Sequence, residues 1–565
     1  CKRLYDEQAQ PSLILAHGAR LLMDGFRQSI LQPAAQPADR NYAASDETAS
    51  VQCNAWLADN RKKALLAEVG VGTLDQALLA VLPARHQSLR LLGLAGKVLL
   101  VDEVHAYDAY MNTLLKRLLF AHARQGGSVI LLSATLPAVM RAELVQAYRG
   151  GLGHPAAELT KDSRYPLATQ AGRQVVGHGC ATRRQLVRKV KVAALHDEAK
   201  VLAAIVEQAA AGRCVCWIRN TVEDARQAFE ALEPLLPAGR LTLFHSRYAM
   251  ADRLAIEDRV LDLFGKQSDA AMRRGQVLVG SQVLEQSLDL DMDVMITDLA
   301  PIDLLIQRAG RLQRHARLAD GTPAPDGVER RPAPVLYVLC PPLDDDPAAD
   351  WYSAMFPKAC YVYPNVGELW RGARALLHAG CIASPGSAAE PGAVRDLVEA
   401  VYGDAAEDVP QALQSATRKQ TGKDLAHESQ ADFNSLNLDK GYCIDSSARW
   451  YEDAKVPTRL ADETSTLYLA VERDGELQPW REHAANGWEQ SAVRVDGRRV
   501  AALAPDALER FAAGLEQLRA RHPQLKEPAV VLPLTREGDG WTGQVVNAQG
   551  RTFALHYDAV KGLRW

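Results

Sequence analysis

Residues 101–110 read VDEVHAYDAY, and this stretch decides the fold assigned to the chain. It follows the apolar run at 98–100, whose pattern predicts a buried parallel strand. The acidic pair therefore lies at the carboxyl end of a strand, where open α/β sheets bind ligands. There Asp102 can hold Mg²⁺, Glu103 can orient or deprotonate the attacking water, and His105 can link a phosphate site to motion elsewhere. The alternative is an acidic surface turn without a catalytic role.

Two features that follow favour the catalytic interpretation. A helix-like stretch at 111–123 leads to a second apolar strand at 128–132, which ends in the tripeptide SAT at 133–135. A strand, an acidic box, a helix, a strand and SAT, in this order, are typical of a helicase core. Several short motifs in the right order are much harder to explain by chance than one motif alone.

The third motif lies far downstream, where residues 304–315 read LLIQRAGRLQRH. Arg308, Arg311 and Arg314 are three residues apart, so on a helix they would share a face. A guanidinium on that face can cross a cleft to a phosphate as an arginine finger. The alternative is an amphipathic surface helix with solvated arginines.

The chain resembles the superfamily 2 DExH helicases, and more narrowly the helicase-nuclease that CRISPR type I-E (Cascade) systems recruit to degrade foreign DNA. The motifs that carry the resemblance are VDEVHAYDAYMNTLL, GGSVILLSATLP, GTLDQALLAVLP, SQVLEQSLDLD and QRAGRLQRH. The extension HAYDAYM after the acidic box is the most specific of them. The resemblance implies two tandem RecA-like lobes, ATP and Mg²⁺ as cofactors, and ATP-driven movement along single-stranded DNA.

The resemblance also implies roles for individual residues. It assigns catalysis to Asp102, Glu103, His105, Arg311 and Arg314, with Asp102 as the metal ligand. It assigns nucleotide contacts to Ser133, Thr135, Asp289, Gln307 and Arg308. It assigns nucleic-acid contacts to Thr73, Gln76, Asn220, His245, Ser281 and Gln282.

Some of these residues also have an ordinary structural interpretation. Thr73 with Asp75 suits a helix N-cap, and this role is compatible with a DNA contact. Asp289 could be a capping carboxylate. His17, with Gly18 after the predicted strand at 13–16, could be a simple loop histidine rather than part of a DNA-facing edge.

A phosphate loop of the form G-x-x-x-x-G-K-[ST] does not occur in the sequence. Such a loop supplies the amides and the lysine that hold the β- and γ-phosphates. We therefore expect a fragment that lacks this loop and the preceding histidine/aspartate nuclease domain, and that is inactive alone. The pair His196-Asp197 precedes a run with helical apolar spacing, so Asp197 is predicted to be an N-cap rather than a nuclease ligand.

Composition indicates a large enzyme of a reducing compartment. The chain has 65 Lys+Arg against 69 Asp+Glu, a net charge of −4, so a DNA path must be a local basic stripe, with candidates at 183–191 and 308–317. The nine cysteines are scattered, and the close pair Cys214 and Cys216 alternates on a predicted strand, which suits neither zinc nor a disulfide framework. No apolar run is long enough to span a membrane. We expect a cytoplasmic monomer.

The order of predicted elements indicates an α/β protein with four regions. Residues 1–178 form a truncated first lobe with the DEVH box and SAT, and residues 179–342 form a second lobe with the arginine motif. Residues 343–450 form a helical linker region, and residues 451–565 form a small α+β accessory domain.

Three functions remain open on this basis. The first is the helicase part of a CRISPR interference helicase-nuclease that unwinds DNA marked by Cascade. The second is a DExH helicase of another nucleic-acid pathway. The third is a two-lobed adaptor that binds without hydrolysis, although the intact catalytic motifs argue against it.

Overall fold

The computed structural model of the chain comprises two units. The first is built from residues within 1–162, 167–178 and 421–461, and the second from residues within 163–166, 179–420 and 462–565. The structure describes residues 13–16, 64–159, 162–183, 187–285, 288–387, 390–403, 408–438, 440, 457–459, 464–482, 486–526, 529–538 and 540–565. The candidate His17, its neighbour Gly18, residues 184–186 of the basic stretch, and Gln286 and Ser287 lie outside the described residues.

Short parallel strands carry the catalytic motifs of the first unit. β1 (Leu13–Ala16) pairs in parallel with β2 (Val69–Gly72). β3 (Val98–Val101) pairs in parallel with β4 (Ser128–Leu131). The strands predicted at 98–100 and 128–132 are therefore confirmed as parallel neighbours, and their carboxyl ends lie side by side. The burial predicted for the first strand is wrong on one face, where Val98 is 64% and Leu100 58% exposed.

Helices cover these strands with a buried apolar face. They are α1 (Leu74–Leu78), α2 (Gln87–Leu94), α3 (Ala109–Arg124) and α4 (Ala138–Gly151), and two further strands follow, β5 (Leu167–Ala171) and β6 (Val175–Gly179). Helix α3, predicted at 111–123, begins where Asp108 Oδ1 accepts a hydrogen bond from the Met111 amide at 2.8 Å. Its Leu114, Leu115 and Leu118 are fully buried in the core of this unit. Each such leucine contributes about 1.5–3 kcal/mol to folding.

The second unit contains a seven-stranded sheet in the order β13-β7-β12-β11-β8-β10-β9. Its strands are β7 (Arg188–Leu195), β8 (Val215–Ile218), β9 (Leu241–Phe244), β10 (Val277–Gly280), β11 (Val294–Asp298), β12 (Val335–Leu339) and β13 (Cys381–Ser384). Neighbouring strands pair in parallel except β13, which runs antiparallel to β7. Every residue of β8, β10 and β11 is buried, as expected for a parallel sheet covered on both faces.

Helices of this unit extend well beyond the boundary predicted at residue 342. They are α5 (Glu198–Ala210), α6 (Val222–Leu232), α7 (Met250–Phe264), α8 (Ala270–Arg273), α9 (Ile302–Ala309), α10 (Val366–Ala379) and α11 (Val394–Tyr402). Trp351, Tyr352 and Phe356 are buried in the same core as the central strands. Because these aromatic residues and β13 complete the lobe, much of the predicted linker region belongs to the second unit.

One long helix divides what remains of the predicted linker. Helix α12 (Gln411–Asn434) has its residues up to 420 in the second unit and those from 421 in the first. The polar sequence of this stretch forms a continuous helix of 24 residues. Among the described ranges, no helix has both the length and the apolar character needed to cross a lipid bilayer.

The C-terminal residues form a mostly antiparallel sheet in the order β15-β14-β18-β19-β20-β21, with β16 beside β14 and β17 beside β19. The strands are β14 (Thr464–Arg473), β15 (Glu476–Pro479), β16 (Ala492–Asp496), β17 (Ala502–Leu503), β18 (Val530–Glu537), β19 (Gly540–Val546), β20 (Thr552–Asp558) and β21 (Gly562–Arg564). The helices are α13 (Gly487–Gln490), α14 (Pro505–Arg510) and α15 (Ala512–Arg521). Phe511 is the C-cap of α14 and the N-cap of α15, so the two helices are separated at this residue.

Candidate functional site

The structure joins the acidic box to the SAT tripeptide. Both follow neighbouring parallel strands, and the Val104 amide donates to the Leu132 carbonyl at 3.1 Å. His105 Nδ1 and Ser133 Oγ are hydrogen-bonded at 2.8 Å. The side chain of His105 is 3% exposed, so this contact is protected from water. A displacement of the SAT turn would therefore move His105 and, with it, the acidic box.

The two carboxylates of the box face solvent and have fixed backbones. The Glu103 amide donates to Asp102 Oδ1 at 2.9 Å, and the Tyr107 hydroxyl donates to the Asp102 carbonyl at 2.9 Å. Glu103 has a φ of 52°, a left-handed conformation that costs a non-glycine residue about 1–3 kcal/mol. Its carboxylate is 57% exposed and lies 3.5 Å from His105 Nδ1. Strain at a solvent-facing acidic residue is typical of functional sites.

The donor chemistry of the box fits a magnesium ion. Mg²⁺ usually takes one or two carboxylates and completes its octahedron with water and substrate phosphates. Asp102 offers such an exposed carboxylate. No group of three or more histidine, cysteine or acidic side chains among the described residues could form a metal cage of its own. A metal at Asp102 would therefore depend on nucleotide phosphates for its remaining ligands.

The SAT turn folds on itself. Ser133 Oγ accepts a hydrogen bond from the Thr135 amide at 3.3 Å. Thr135 is 2% exposed, and its hydroxyl has no hydrogen-bond partner in the described structure. The nucleotide contact predicted for Thr135 would need this turn to open, whereas Ser133 stays part of the connected site.

The predicted DNA-contact residues of the first unit lie at the start of α1. Thr73 occupies the N-cap position but its side chain makes no capping hydrogen bond. The Thr73 side chain is exposed and that of Gln76 is partly exposed. Thr73 therefore occupies the predicted N-cap position, but its side chain does not cap the helix. By contrast, Asp197 caps α5 as predicted, because its Oδ1 accepts from the Ala199 amide at 2.8 Å.

The arginine motif departs from the predicted helix. Helix α9 ends at Ala309, and Gly310 occupies its C-cap, so Arg311 and Arg314 lie beyond the helix instead of on one face of it. The Arg311 guanidinium donates to the carbonyls of Leu288 and, at 2.7 Å, Glu285. Arg314 Nε lies 2.8 Å from Asp289 Oδ1, and both side chains are nearly half exposed. The structure thus brings together Asp289 and Arg314, which are 25 positions apart in the sequence (314 − 289).

Arg308 lies inside the second unit. Its side chain is fully buried and donates to Glu285 Oε1 at 2.8 Å and to Asn220 Oδ1 at 3.2 Å. Burial acts to lower the pKa of Arg308, but the charge and hydrogen bond of Glu285, together with Tyr363 and Asp298, raise it overall. Asn220 is equally buried and donates to the Leu299 carbonyl at 2.7 Å. Both side chains therefore use their polar atoms within the protein, and neither has surface for the predicted nucleotide or DNA contact.

The remaining predicted residues of the second lobe differ in exposure. Ser281 is 2% exposed. Gln282 is partly exposed and donates to the Tyr363 hydroxyl at 3.3 Å, and Gln307 is partly exposed as well. Of these three, Gln282 and Gln307 keep surface for a ligand.

Each of the basic stripes predicted at 183–191 and 308–317 contains an arginine with a structural role. Arg317 is fully buried, and its guanidinium pairs with Asp291 and donates to the Gly265 carbonyl at 2.9 Å. Arg188 donates to the carbonyls of Leu312 and Ala309, each at 2.8 Å, and so holds the end of the arginine motif. These arginines stabilise the lobe instead of lining a DNA path.

His245 is occupied by the C-terminal sheet. It is fully buried, its Nδ1 accepts from the Arg247 amide at 3.1 Å, and its Nε2 donates to the Lys561 carbonyl at 3.2 Å. Its ring stacks on Tyr248 with centroids 4.3 Å apart. Burial, followed by the Arg247 charge, lowers the pKa of His245 to about 3. The DNA contact predicted for His245 does not fit this position, because β9 ends against the C-terminal domain.

The surface of the second lobe that packs against the C-terminal sheet also contains a buried carboxylate, which the sequence did not indicate. The side chain of Asp252, on α7, is 2% exposed. It accepts from Trp480 Nε1 at 2.8 Å, from Arg481 Nε at 2.7 Å and from the Tyr557 hydroxyl at 2.7 Å. These partners lie 228 to 305 positions away, so no local pattern could have found them.

Strand β21 closes on the lobe backbone at this surface. The Leu563 amide donates to the Arg247 carbonyl at 2.8 Å. Gly562 has a φ of 67°, and a Cβ there would lie 2.5 Å from the same carbonyl, so only glycine fits. The Arg247 guanidinium stacks on Trp565 at 4.0 Å from the ring centroid. The second lobe and the C-terminal sheet therefore share one continuous interface.

Comparisons with known proteins agree with the motifs. A family model described as the C-terminal part of the CRISPR-associated nuclease/helicase Cas3 matches residues 211–317. The CRISPR-associated endonuclease/helicase Cas3 of Escherichia coli is 35% identical over 479 residues, which is 83% of this chain and 48% of that protein. The chain thus spans about half the length of that relative.

Solved structures extend the similarity to the fold. The crystal structure of T. fusca Cas3 with ATP matches with a TM-score of 0.71 at 28% identity, over 98% of this chain and 61% of that one. A chain of a CRISPR RNA-guided surveillance complex in a pre-nicking state matches with a TM-score of 0.66 at 27% identity, over 99% of this chain and 64% of that one. These matches confirm the predicted α/β class with RecA-like lobes and the predicted family resemblance.

Proposed function

Since the chain is related to the CRISPR-associated Cas3 nuclease/helicases over most of its length, we propose that it provides ATP-driven translocation on single-stranded DNA for CRISPR interference. The observation that carries this proposal is the hydrogen bond between His105 and Ser133 at the carboxyl ends of β3 and β4. An acidic box bonded to a SAT turn is the arrangement through which nucleotide state can reach the rest of a lobe. Neither an acidic surface turn nor a passive adaptor requires it.

In this proposal the residues of the box divide the chemistry. Asp102 would hold the Mg²⁺ of MgATP, which neutralises charge on the phosphates when bound. Glu103 orients the attacking water and takes its proton at a carboxylate oxygen that is open to solvent. Ser133 and His105 relay the position of the box to β4.

The proposal also gives the arginine motif a role in catalysis. Arg314 is the exposed arginine of the motif and stabilises charge on the transferring phosphoryl group. Arg311 shapes the turn that presents it, because it holds the carbonyls of Glu285 and Leu288. Release of Arg314 from Asp289 would be a step of the cycle.

DNA binding rests on polar groups at the lobe surfaces. Thr73 and Gln76 offer a hydroxyl and an amide to the sugar-phosphate backbone, and Gln282 offers an amide from the second lobe. Such contacts hold a strand without reading its sequence. We further propose the Cascade effector complex as the protein partner, a cytoplasmic location and a monomeric state.

The experiment compares ATP turnover by this chain with that of a version extended by a phosphate-loop segment. The chain alone should not hydrolyse ATP, because its sequence contains no phosphate loop. The extended version should hydrolyse ATP when single-stranded DNA is added. Glu103→Gln should then lower turnover about 10²-fold or more and keep nucleotide binding, because the amide keeps the shape but cannot take a proton.

The matched control is Glu143→Gln on α4, whose carboxylate is 52% exposed and pairs with Lys116. This change should leave turnover within about twofold, because a surface pair is worth little. Unchanged hydrolysis in Glu103→Gln would remove DEVH from catalysis. Robust turnover by the unextended chain would contradict the need for the missing loop.

A further inference from the structure

Three consecutive residues far along the sequence contact two helices of the first unit. Arg459 Nε and Nη2 donate to Asp75 Oδ1 and Oδ2, each at 2.9 Å. The Thr458 hydroxyl donates to Asp75 Oδ1 at 2.8 Å. The Tyr110 hydroxyl donates to the Pro457 carbonyl at 2.9 Å. We call Pro457, Thr458 and Arg459 the clasp.

The clasp holds Asp75 with a geometry stronger than an ordinary surface pair. Two parallel guanidinium hydrogen bonds to one carboxylate fix both its position and its orientation. The Asp75 side chain is 22% exposed, against 52% for Arg459. Burial acts to raise the pKa of Asp75, but the hydrogen bonds and charge of Arg459 and Thr458 lower it overall, so the carboxylate is charged at neutral pH.

The first helix held by the clasp is the DNA-contact helix of the proposed function. Asp75 lies in α1 between Thr73 and Gln76, the residues that offer polar groups to a DNA backbone. A helix of 5 residues has little stability of its own, so its orientation depends on what holds it. The Asp75 contacts with Thr458 and Arg459 supply such a hold.

The second helix begins directly after the DEVH box. Tyr110 is fully buried in the first turn of α3, and its hydroxyl also accepts from Asn434 Nδ2 at 3.1 Å. Tyr107, from the same HAYDAYM extension, donates to the carbonyl of Asp102. The extension therefore connects the backbone of the proposed metal ligand to the residues that contact the clasp.

We propose that the clasp couples DNA binding at α1 to ATP turnover at the DEVH box, with Arg459 as its positioning residue. A strand that shifts α1 moves Asp75, and Asp75 pulls on a segment that is also bonded to the helix next to the box. In this proposal Arg459 acts by holding the Asp75 carboxylate through its two hydrogen bonds. This inference rests on the proposed function, because it assumes that α1 binds DNA and that DEVH hydrolyses ATP.

The test is Arg459→Ala in the chain extended by a phosphate-loop segment, measured as ATP turnover with and without single-stranded DNA. Basal turnover should stay within about twofold, while the stimulation by DNA should fall about fivefold or more, the range of a typical coupling between sites. Arg459→Lys should lose most of the stimulation as well, because lysine keeps the charge without the two-pronged geometry.

The matched control is Arg117→Ala. Arg117 lies on α3, the helix that follows the DEVH box, and its guanidinium pairs with Asp432 at 2.9 Å. Both side chains are 52% exposed, and neither belongs to α1. Its loss should leave DNA stimulation unchanged. A second test reverses the pair: Asp75→Arg combined with Arg459→Asp should recover part of the stimulation that either change alone removes.

The outcomes separate the clasp from the proposed function. Equal stimulation in Arg459→Ala and the unsubstituted chain, with basal turnover intact, would overturn the clasp alone. An equal loss in Arg117→Ala would overturn it too, because any surface pair on α3 would then suffice. An extended chain with no DNA-stimulated turnover would refute the proposed function, and the clasp would fall with it.

Discussion

Replacement of Asp252 by alanine should detach the C-terminal domain from the second lobe. The carboxylate is 2% exposed and accepts from Trp480 Nε1, Arg481 Nε and the Tyr557 hydroxyl. The buried Tyr557 hydroxyl and the partly buried Trp480 indole N–H would lose their acceptor, at about 1–3 kcal/mol each. Arg481 is 49% exposed, so water screens its pair and we discount its share to about 1 kcal/mol or less. The expected loss of unfolding free energy is therefore about 2–7 kcal/mol.

Urea unfolding followed by tryptophan fluorescence measures this loss. Trp480 lies at the interface and packs edge-on against Trp541 with ring centroids 5.6 Å apart, so its emission reports on docking. The matched control is Asp326→Ala, which removes an exposed partner of Arg330 and should leave the unfolding midpoint nearly unchanged. Asp252→Asn should fall between the two, because its amide oxygen keeps one acceptor.

A separate early transition is the expected form of the result. Because the second lobe has a large core of its own, the interface should open at a lower urea concentration than the one that unfolds that core. If Asp252→Ala and Asp326→Ala shifted the unfolding midpoint equally, the buried carboxylate would not be what holds the domain.

Three other predictions concern a titration, the arginine motif and a DNA-contact residue. The pKa of His245 is about 3 in the fold against 6.5 unfolded, so the unfolded state binds the extra proton and stability, complete above pH 6.5, should fall toward pH 3 by up to about 1.4 kcal/mol per pH unit. Denaturant midpoints between pH 7 and pH 5 measure this slope, which His245→Asn should flatten. In the chain extended by a phosphate-loop segment, Arg314→Ala should lower ATP turnover about 10³-fold. Arg330→Ala, from a pair of similar exposure, should not, and equal effects would place the finger elsewhere. Gln282→Ala should spare basal turnover and weaken its stimulation by DNA.

Local sequence was sufficient where neighbouring residues determine the structure. The strands around DEVH and SAT follow from their apolar runs, and the bond between His105 and Ser133 follows from parallel pairing. The cap at Asp197 is equally local, since its oxygen reaches an amide two residues away. The strands and the cap at Asp197 were predicted from neighbouring residues, whereas the bond between His105 and Ser133 was found only in the structure.

Sequence failed where distant residues determine what covers a strand end. Asn220 and His245 follow the ends of strands β8 and β9. Their burial is set by Tyr352 and Lys561, which lie 132 and 316 positions away. The helix predicted at 304–315 ends early because the backbone after Gly310 turns to pair with Met292. No periodicity encodes these contacts.

The interface around Gly562 sets a rule for exchanging parts between relatives. A chimaera that takes its C-terminal sheet from another protein would bring a foreign loop against the Arg247 carbonyl, where even a methyl group has no room. The segment 245–252 and the terminal strands must therefore be taken from the same parent protein. With a crossover point between them, the second lobe and the C-terminal sheet would come from different parents, and their surfaces would not pack against each other.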